Sequence, residues 1–323
     1  MILVLVDQDR GELSELSLQA VAFGRRLASD SGTPLHALVV GAEGKGVAAS
    51  LGAYGVEVVH LAVHDGLTDY APAACARAAA ELVSQHSPAA VVAVGDQRGN
   101  EVLAHLGAIT DLPVAADCTS VVLADPTEVV RARWAGNLFE HARLHAPVAL
   151  VSVVPHAVRA DAAADGTASV VEFTPTLSEA DLLVRVVERT ADATGGISLT
   201  EAKVIVSGGR GVGSAEGFGM LEELAGLLGG AIGASRVVTS NGWRPQAEQV
   251  GQTGTKVSPD LYIACGISGA SQHLAGMVSS KTILVINNDA DAPIMAHADY
   301  AVVGDLHKIL PAVIEATRAA KSG

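Results

Sequence analysis

Aromatic side chains are scarce in this 323-residue chain, where Phe, Trp and Tyr make up only 3%. That excludes a stacking platform for single-stranded nucleic acid, which needs successive aromatic faces under the bases. Basic residues are also short, with 21 Lys and Arg against 35 Asp and Glu and a net charge of −14. Affinity for a phosphate backbone comes from counterions released by cationic side chains, so no nucleic acid partner is expected. An acidic surface suits docking onto basic patches of other proteins. Charged residues of all kinds are 17% against 49% hydrophobic, which excludes a disordered chain and requires large buried sheets.

Cys75, Cys118 and Cys265 stand alone, without C-x-x-C spacing. They make neither a disulfide frame nor a metal site and read as reduced thiols of a cytoplasmic protein. The apolar start Met1–Val6 stops at Asp7, short of a signal-peptide core, and no later run reaches membrane-spanning length. Ile2–Val6 is therefore read as a core strand, and no direct membrane insertion is expected. No repeat of fixed period occurs.

What is present is alternation. Ile2–Val6, Leu35–Val40, Val56–Val63, Ala89–Gly95 and Val148–Val154 read as strands, and Ser14–Ser29, Tyr70–His86 and Glu101–Ile109 carry helical spacing between them. Such a βα series predicts a mostly parallel sheet flanked by helices. Thr119–Ala124 and Glu128–Trp134, either side of Asp125-Pro126-Thr127, predict an antiparallel hairpin. Ala157–Gly166 reads as an exposed loop and Leu182–Arg189 as a short helix. The Gly195-Gly196 pair lies in a stretch poor in large apolar residues, which places a boundary there: residues 1–195 form one α/β domain and 196–323 a second. In the second, Lys203–Val206, Arg236–Thr239, Leu261–Ala264, Thr282–Ile286 and Ala301–Val303 read as strands, with helices at Gly219–Gly229, Gln272–Met277 and His307–Lys321.

The most informative stretch is Pro259–Met277, P-D-L-Y-I-A-C-G-I-S-G-A-S-Q-H-L-A-G-M. A buried strand runs into a glycine turn and then a helix that opens on small residues. Gly269 and Ala270 allow close backbone approach, and the free N–H groups at the helix start favour an anion such as a pyrophosphate. Ser207–Gly213 also follows a strand, but no register satisfies G-x-G-x-x-G, because Ser214 and Glu216 fall at the third glycine. That disfavours an NAD-binding dehydrogenase or transhydrogenase-like domain. Gly266–Ala270 has the shape of a nucleophile elbow around Ser268, with Asp299 and His307 following in hydrolase order, yet the last glycine is Ala270 and no H-G-G-G-type loop occurs. His141 and His145, four apart, could share a helix face as metal ligands, although Glu140 precedes the first histidine and H-E-x-x-H is not met.

G-I-S-G-A-x-Q-H-x-A-G-M, preceded by Gly233–Arg236 (G-A-S-R) and Val250–Gly254 (V-G-Q-T-G) and followed by Ile283–Asn287 (I-L-V-I-N) and Val303–Leu306 (V-G-D-L), resembles the alpha subunit of electron-transfer flavoprotein. The resemblance is dense from about Val204 onward and diffuse before it, where Trp134–Asn137 (W-A-G-N) is similar to a Y-A-G-N-type turn of the family. It implies a Rossmann-like C-terminal domain holding FAD, an N-terminal domain packing on a beta subunit, and a relay of electrons from dehydrogenases, such as the acyl-CoA dehydrogenases of fatty acid oxidation, through a membrane oxidoreductase to the quinone pool. The chain would then be an electron carrier with no bond-breaking reaction of its own.

Carried over position by position, the resemblance assigns FAD contacts to Arg210, Ser235, Arg236, Val250, Gly251, Gln252, Thr253, Ser268, Gly269, Ala270, Ser271, Gln272, His273, Asn287, Asp305 and Leu306. Arg236 over the ring and His273 at its pyrimidine edge would supply positive charge, and Thr253 would donate to N5. Ser268 and the helix start would hold the pyrophosphate, with Asn287 and Asp305 at the adenosine end. Three positions depart from the family pattern: Thr255 and Asn288 stand in place of lysines, and His307 in place of an apolar aromatic.

Overall fold

The computed structural model describes residues 1–134, 138–163, 166–186, 188, 198–200 and 202–322, and the chain divides into two units, Met1–Arg189 and Thr190–Gly323. Gly195, Gly196 and the boundary expected there lie outside the described residues, as do Ala135–Asn137 of the W-A-G-N turn.

In the first unit the elements run β1 (Ile2–Val6), β2 (Gln8–Asp9), β3 (Glu12–Leu13), α1 (Glu15–Ser31), β4 (Leu35–Val40), α2 (Lys45–Ala48), β5 (Val58–Ala62), α3 (Pro72–His86), β6 (Ala90–Val94), α4 (Gln97–Thr110), β7 (Val114–Val122), β8 (Thr127–Arg133), β9 (Leu138–Leu144), β10 (Ala149–Val153) and β11 (Ser169–Phe173). One sheet takes the order β11-β5-β4-β1-β6-β10-β7-β8-β9, parallel as far as β7 and antiparallel beyond. The near-continuous Val/Leu/Ile/Ala runs follow from burial on both faces. Ile2, Val4 and Val6 pack with Val21, Phe23 and Leu27 of α1, while Leu3 between them packs with Leu82 of α3 and Leu103 of α4. The starts of α1 and α4 are capped: Ser14 Oγ accepts from Ser17 N at 3.4 Å, and Asp96 Oδ1 from Gly99 N at 2.7 Å.

The expected hairpin is present as β7 and β8, and a third strand, β9, extends it. His141 therefore lies on a strand and not on a helix, and His145 lies past its end. Most of β9 is exposed, so it carries no apolar alternation from which a strand could be read. Edge strand β11, S-V-V-E-F, escaped notice for the same reason. The helix expected over Leu182–Arg189 is a 3-10 turn at Glu179–Leu182 among the described residues, closed by a capping box in which Asp181 Oδ2 accepts from Ser178 N at 2.9 Å. No described helix is long and apolar enough to cross a membrane.

The second unit continues with β12 (Val204–Gly208), α5 (Phe218–Leu228), β13 (Ala231–Ala234), α6 (Arg236–Ser240), β14 (Leu261–Cys265), α7 (Ser271–Met277), β15 (Ile283–Asn287), β16 (Tyr300–Val303) and α8 (Leu306–Ser322). Its five strands are all parallel, in the order β13-β12-β14-β15-β16. Val206, Ile263, Cys265 and Ile286 face Phe218, Leu221 and Leu310 of the helices on one side, and Ile205, Tyr262 and Val285 fill the other. Arg236–Thr239, expected as a strand from its β-branched residues, is helical instead. The pairing partner on β12 is already taken by Ala231–Ala234, and the carbonyl of Ser235 accepts from Val238 N at 3.0 Å to open the turn.

Candidate functional site

Register brings four strand ends together. Gly208 is level with Ala234 on one side and Cys265 on the other, and Cys265 with Ile286, so the loops after β13, β12, β14 and β15 leave from one edge of the sheet. β12 has β13 on one side and β14 on the other, so the chain order reverses at β12. Open α/β sheets bind ligands in the crevice at such a point.

The two glycine loops at this crevice are joined through their backbones. Gly209 N donates to Cys265 O at 2.9 Å and Gly211 N to Gly266 O at 3.0 Å. A Cβ on Gly266, whose φ is +60°, would lie 2.7 Å from Gly211 Cα; a Cβ on Gly269, φ +86°, would lie 2.4 Å from Ile294 N. Among the described residues no backbone carbonyl accepts from the amides of Ser268, Gly269 and Ala270. Successive free N–H groups of this kind form an anion-binding concavity.

The V-G-Q-T-G segment closes the next side. Val250 N donates to Ala234 O at 2.9 Å and Gln252 N to Gln272 O at 2.7 Å, which fixes the loop between the end of β13 and the start of α7. Thr255, one of the departures from the family pattern, serves through its backbone, donating to Gln249 O at 2.7 Å. Buried Gln249 lies 2.7 Å from Thr239 Oγ1 and 3.0 Å from Thr253 Oγ1, and so holds the Thr253 hydroxyl in place. Sequence reasoning missed Gln249, although its place directly before the V-G-Q-T-G block was a usable signal.

Together these loops enclose a cavity of about 710 Å³. Arg210, Ser235, Arg236, Val250–Thr253, Ser268–Ala270, Gln272, His273 and Asn287 line it, joined by Ser240, Asn241, Gln249, Asn288 and Asp289, which were not expected there. Ser271, Asp305 and Leu306 do not line it. Ser271 is the exposed first residue of α7. Asp305 accepts from His307 N at 3.0 Å and opens α8, while Leu306 is buried in the core under Gly266. Asn287, too, is engaged by the scaffold: its Nδ2 donates to Ile267 O at 2.8 Å and its Oδ1 accepts from Asp289 N at 3.1 Å.

Arg210 and Arg236 are exposed, and neither makes an ion pair among the described residues. Two unpaired arginines against the single carboxylate of Asp289 give this cavity a positive balance in a chain of net charge −14. A second cavity, about 550 Å³, lies at the carboxyl ends of β1, β4, β5 and β6 in the first unit. There five carboxylates, those of Asp7, Asp9, Glu43, Asp65 and Asp69, outnumber Arg10 and Arg98, and Arg98 is paired with Asp7 at 3.0 Å. Coulomb energies therefore direct an anionic ligand to the second unit.

His273 is 6% exposed, and burial lowers its pKa to about 4, partly opposed by the backbone of Val250. Burial thus favours the neutral ring over the positive charge that the resemblance implies there. Its Nε2 meets the hydroxyl of Tyr262 at 2.9 Å, and Nδ1 has no hydrogen-bond partner among the described residues.

The elbow geometry does not assemble a hydrolase. Asp299 Oδ2 accepts from Ile283 N at 2.8 Å, and no hydrogen bond joins Ser268 to His307 among the described residues. His141 and His145 are both exposed, and no group of three or more His, Cys, Asp or Glu side chains among the described residues is arranged to hold a metal.

The fold and site thus define a two-unit α/β protein with a dinucleotide-sized, positively lined crevice in its second unit. Residues 2–178 match the electron transfer flavoprotein domain, and residues 198–278 match the electron transfer flavoprotein FAD-binding domain. The chain is 38% identical to the electron transfer flavoprotein subunit alpha of Mycobacterium tuberculosis, covering 99% of both chains. It is 35% identical to that of Bacillus subtilis and 34% to that of Thermoanaerobacterium thermosaccharolyticum, each over 97% of this chain and 96% of the relative. The chain belongs to the electron-transfer flavoprotein alpha-subunit family, its second unit carrying the FAD-binding domain.

Proposed function

We propose that this chain pairs with a beta subunit and carries electrons from flavin-containing dehydrogenases, acyl-CoA dehydrogenases among them, to a membrane oxidoreductase that feeds the quinone pool. The N-terminal unit serves mainly to pack on that partner, and the C-terminal unit holds the cofactor; neither breaks a substrate bond. One observation carries the reading: in an acidic chain, two unpaired arginines and the free amides of Ser268–Ala270 converge on one crevice.

The residues fit FAD. Bound there, its ring would supply reversible electron uptake. The amides of Ser268–Ala270 and the start of α7 hold the pyrophosphate. Arg236 and Arg210 neutralise negative charge, Arg236 at the ring and Arg210 along the nucleotide. The Thr253 hydroxyl, held by Gln249, presents its proton to the ring edge, and Val250–Gln252 bring backbone close beside it. Asn287 acts by holding Ile267 O, and with it the cradle; Ser271, Asp305 and Leu306 act by shaping α7 and α8. For the partner, the antiparallel extension presents exposed apolar side chains on its outer strand, Leu138 and Phe139 at 57% and 61% exposure, which a protein interface would cover.

The test is co-expression with the beta subunit, followed by an absorbance spectrum and a flavin count. A one-to-one heterodimer holding FAD in this chain is expected. A colourless complex that retains a nicotinamide nucleotide instead would overturn the reading.

A further inference from the structure

The cavity of the first unit lies at a switch point of its own. β1 has β4 on one side and β6 on the other, so the chain order reverses at β1, and the cavity opens at the carboxyl ends of these strands, where open α/β sheets take ligands. Its lining residues all fall between Leu5 and Val102, and none of them lines the crevice of the second unit. A volume of about 550 Å³ is that of a site for a small organic molecule.

The floor of this cavity is apolar and lacks a cover. Leu3 and Leu38 are packed under α3 and α4, at 0% and 2% exposure, yet Leu5 and Val40, two residues further along the same faces of β1 and β4, are only half-buried. β1 is an interior strand, so its exposure is no edge effect; parallel sheets are ordinarily covered on both faces. Half-buried Tyr70 and Cys75 extend the same apolar surface, and the walls come from the loops after β1, β4 and β5.

The positions where such a crevice would receive a phosphate are filled by the chain's own carboxylates. At the start of α4, Asp96 Oδ1 accepts from Gly99 N at 2.7 Å. At the end of β1, Asp7 engages Arg98, whose Nη1 lies 3.0 Å from Oδ2 and 3.3 Å from Oδ1. Amides of the loop after β1 are taken as well: Asp7 N donates to Ser17 Oγ at 3.0 Å and Gly11 N to Gln8 Oε1 at 2.9 Å. The second arginine, Arg10, lies 3.7 Å from Asp9. Both lining arginines thus face carboxylates, and Glu43, Asp65 and Asp69 make the remaining charge negative. Such a cavity repels an anion and attracts a cation.

We propose that this cavity is a second ligand site and takes an organic ammonium ion, with a ring-bearing apolar body over Leu5 and Val40 and a protonated amine toward Glu43 and Asp65. The apolar body supplies the cover that the strand ends lack, and the carboxylates select the charge. The site stands apart from the flavin reading, because no residue is shared between the two cavities.

The experiment titrates the full chain calorimetrically, at low salt and pH 7, with three probes of one skeleton: tryptamine, its neutral alcohol tryptophol, and indole-3-propionate. Saturable binding in the order tryptamine, tryptophol, indole-3-propionate is expected. Glu43→Gln with Asp65→Asn changes two exposed side chains, so the fold should survive, while tryptamine affinity should fall by about 2- to 30-fold and tryptophol affinity should stay unchanged. Val40→Trp fills the cavity without altering any charge and should abolish binding of tryptamine. Equal affinity for tryptamine and indole-3-propionate, or no saturable tryptamine binding, overturns the proposal. Tryptamine binding that persists in a folded Val40→Trp overturns it too, since it would be attraction to the acidic surface alone; should that variant fail to fold, the paired carboxylate variant still decides. Displacement of tryptamine by FAD would place the amine in the other crevice and overturn the proposal, whereas failure of the chain to bind FAD would count against the flavin reading alone.

Discussion

Gly211 N donates to Gly266 O at 3.0 Å, and a Cβ on either glycine would press on the other's backbone, at 2.7 Å from Gly266 Cα in one case and from Gly211 Cα in the other. The S-G-G-R-G-V-G stretch that fails the dinucleotide fingerprint is explained by this contact: its glycines bring one loop against another. Arg210 lies between Gly209 and Gly211, so the loop contact also sets where that arginine enters the cavity. Gly211→Ala is expected to destabilise the second unit by about 1–3 kcal/mol and to loosen FAD together with stability. Chemical denaturation alongside a flavin titration checks this, and a variant with normal stability and normal FAD binding would show the loops to be less tightly coupled.

Ser268→Asp sets a carboxylate among the amides that should receive the pyrophosphate. The side chain is exposed, so the fold should survive, while like-charge repulsion should strip FAD from the protein. Gel filtration with absorbance at flavin wavelengths separates the two effects.

Arg236→Ala tests the assignment of positive charge. If the bound ring shields the guanidinium from water, the lost charged donor is worth about 1.5–3 kcal/mol, and the first flavin potential should fall by about 60–130 mV. Were the arginine to stay as exposed as it is in the unliganded protein, the loss would be below about 1 kcal/mol, or about 45 mV. Potentiometric titration distinguishes these ranges, and the larger fall is expected.

Stability should decline on acidification between about pH 6.5 and pH 4. Burial lowers the pKa of His60 and of His273 to about 4, and His60 Nε2 lies 3.0 Å from His36 Nδ1, where a second positive charge is unwelcome. Below pH 6.5 the unfolded chain takes up protons that the folded rings refuse, so folding loses up to about 3 kcal/mol per ring before screening, and nothing above that pH. Denaturant midpoints of wild type and His60→Gln across this range check the sign: the variant should show the shallower dependence.

Phe139→Glu should weaken assembly with the beta subunit while leaving thermal stability of this chain unchanged, because its ring is 61% exposed. Analytical ultracentrifugation of the co-expressed pair measures it, and undiminished heterodimer would move the interface elsewhere on the chain.

The α/β class, most of the strands and the glycine turn between β14 and α7 were all legible in the residue order. Apolar runs such as Ile2–Val6 and Leu261–Cys265 are buried on both faces, and continuous burial writes itself into composition. Gly266 and Gly269 mark that turn in the residue order, whereas the atoms a side chain there would strike, on Gly211 and Ile294, are brought up by tertiary packing. What tertiary structure decided is everything that depends on pairing across distance. Arg236–Ser240 became helix because Ala231–Ala234 already occupied the flank of β12; β9 became a strand because β8 offered it a partner, not because its own exposed residues alternate. Likewise Asp305 and Leu306 sit in a matching motif yet turn to α8 and the core, and His273, whose pKa burial lowers, meets Tyr262, a contact between residues eleven apart that no spacing rule contains. Residue types set which chemistry was available; desolvation and register chose which of it reaches the cavity.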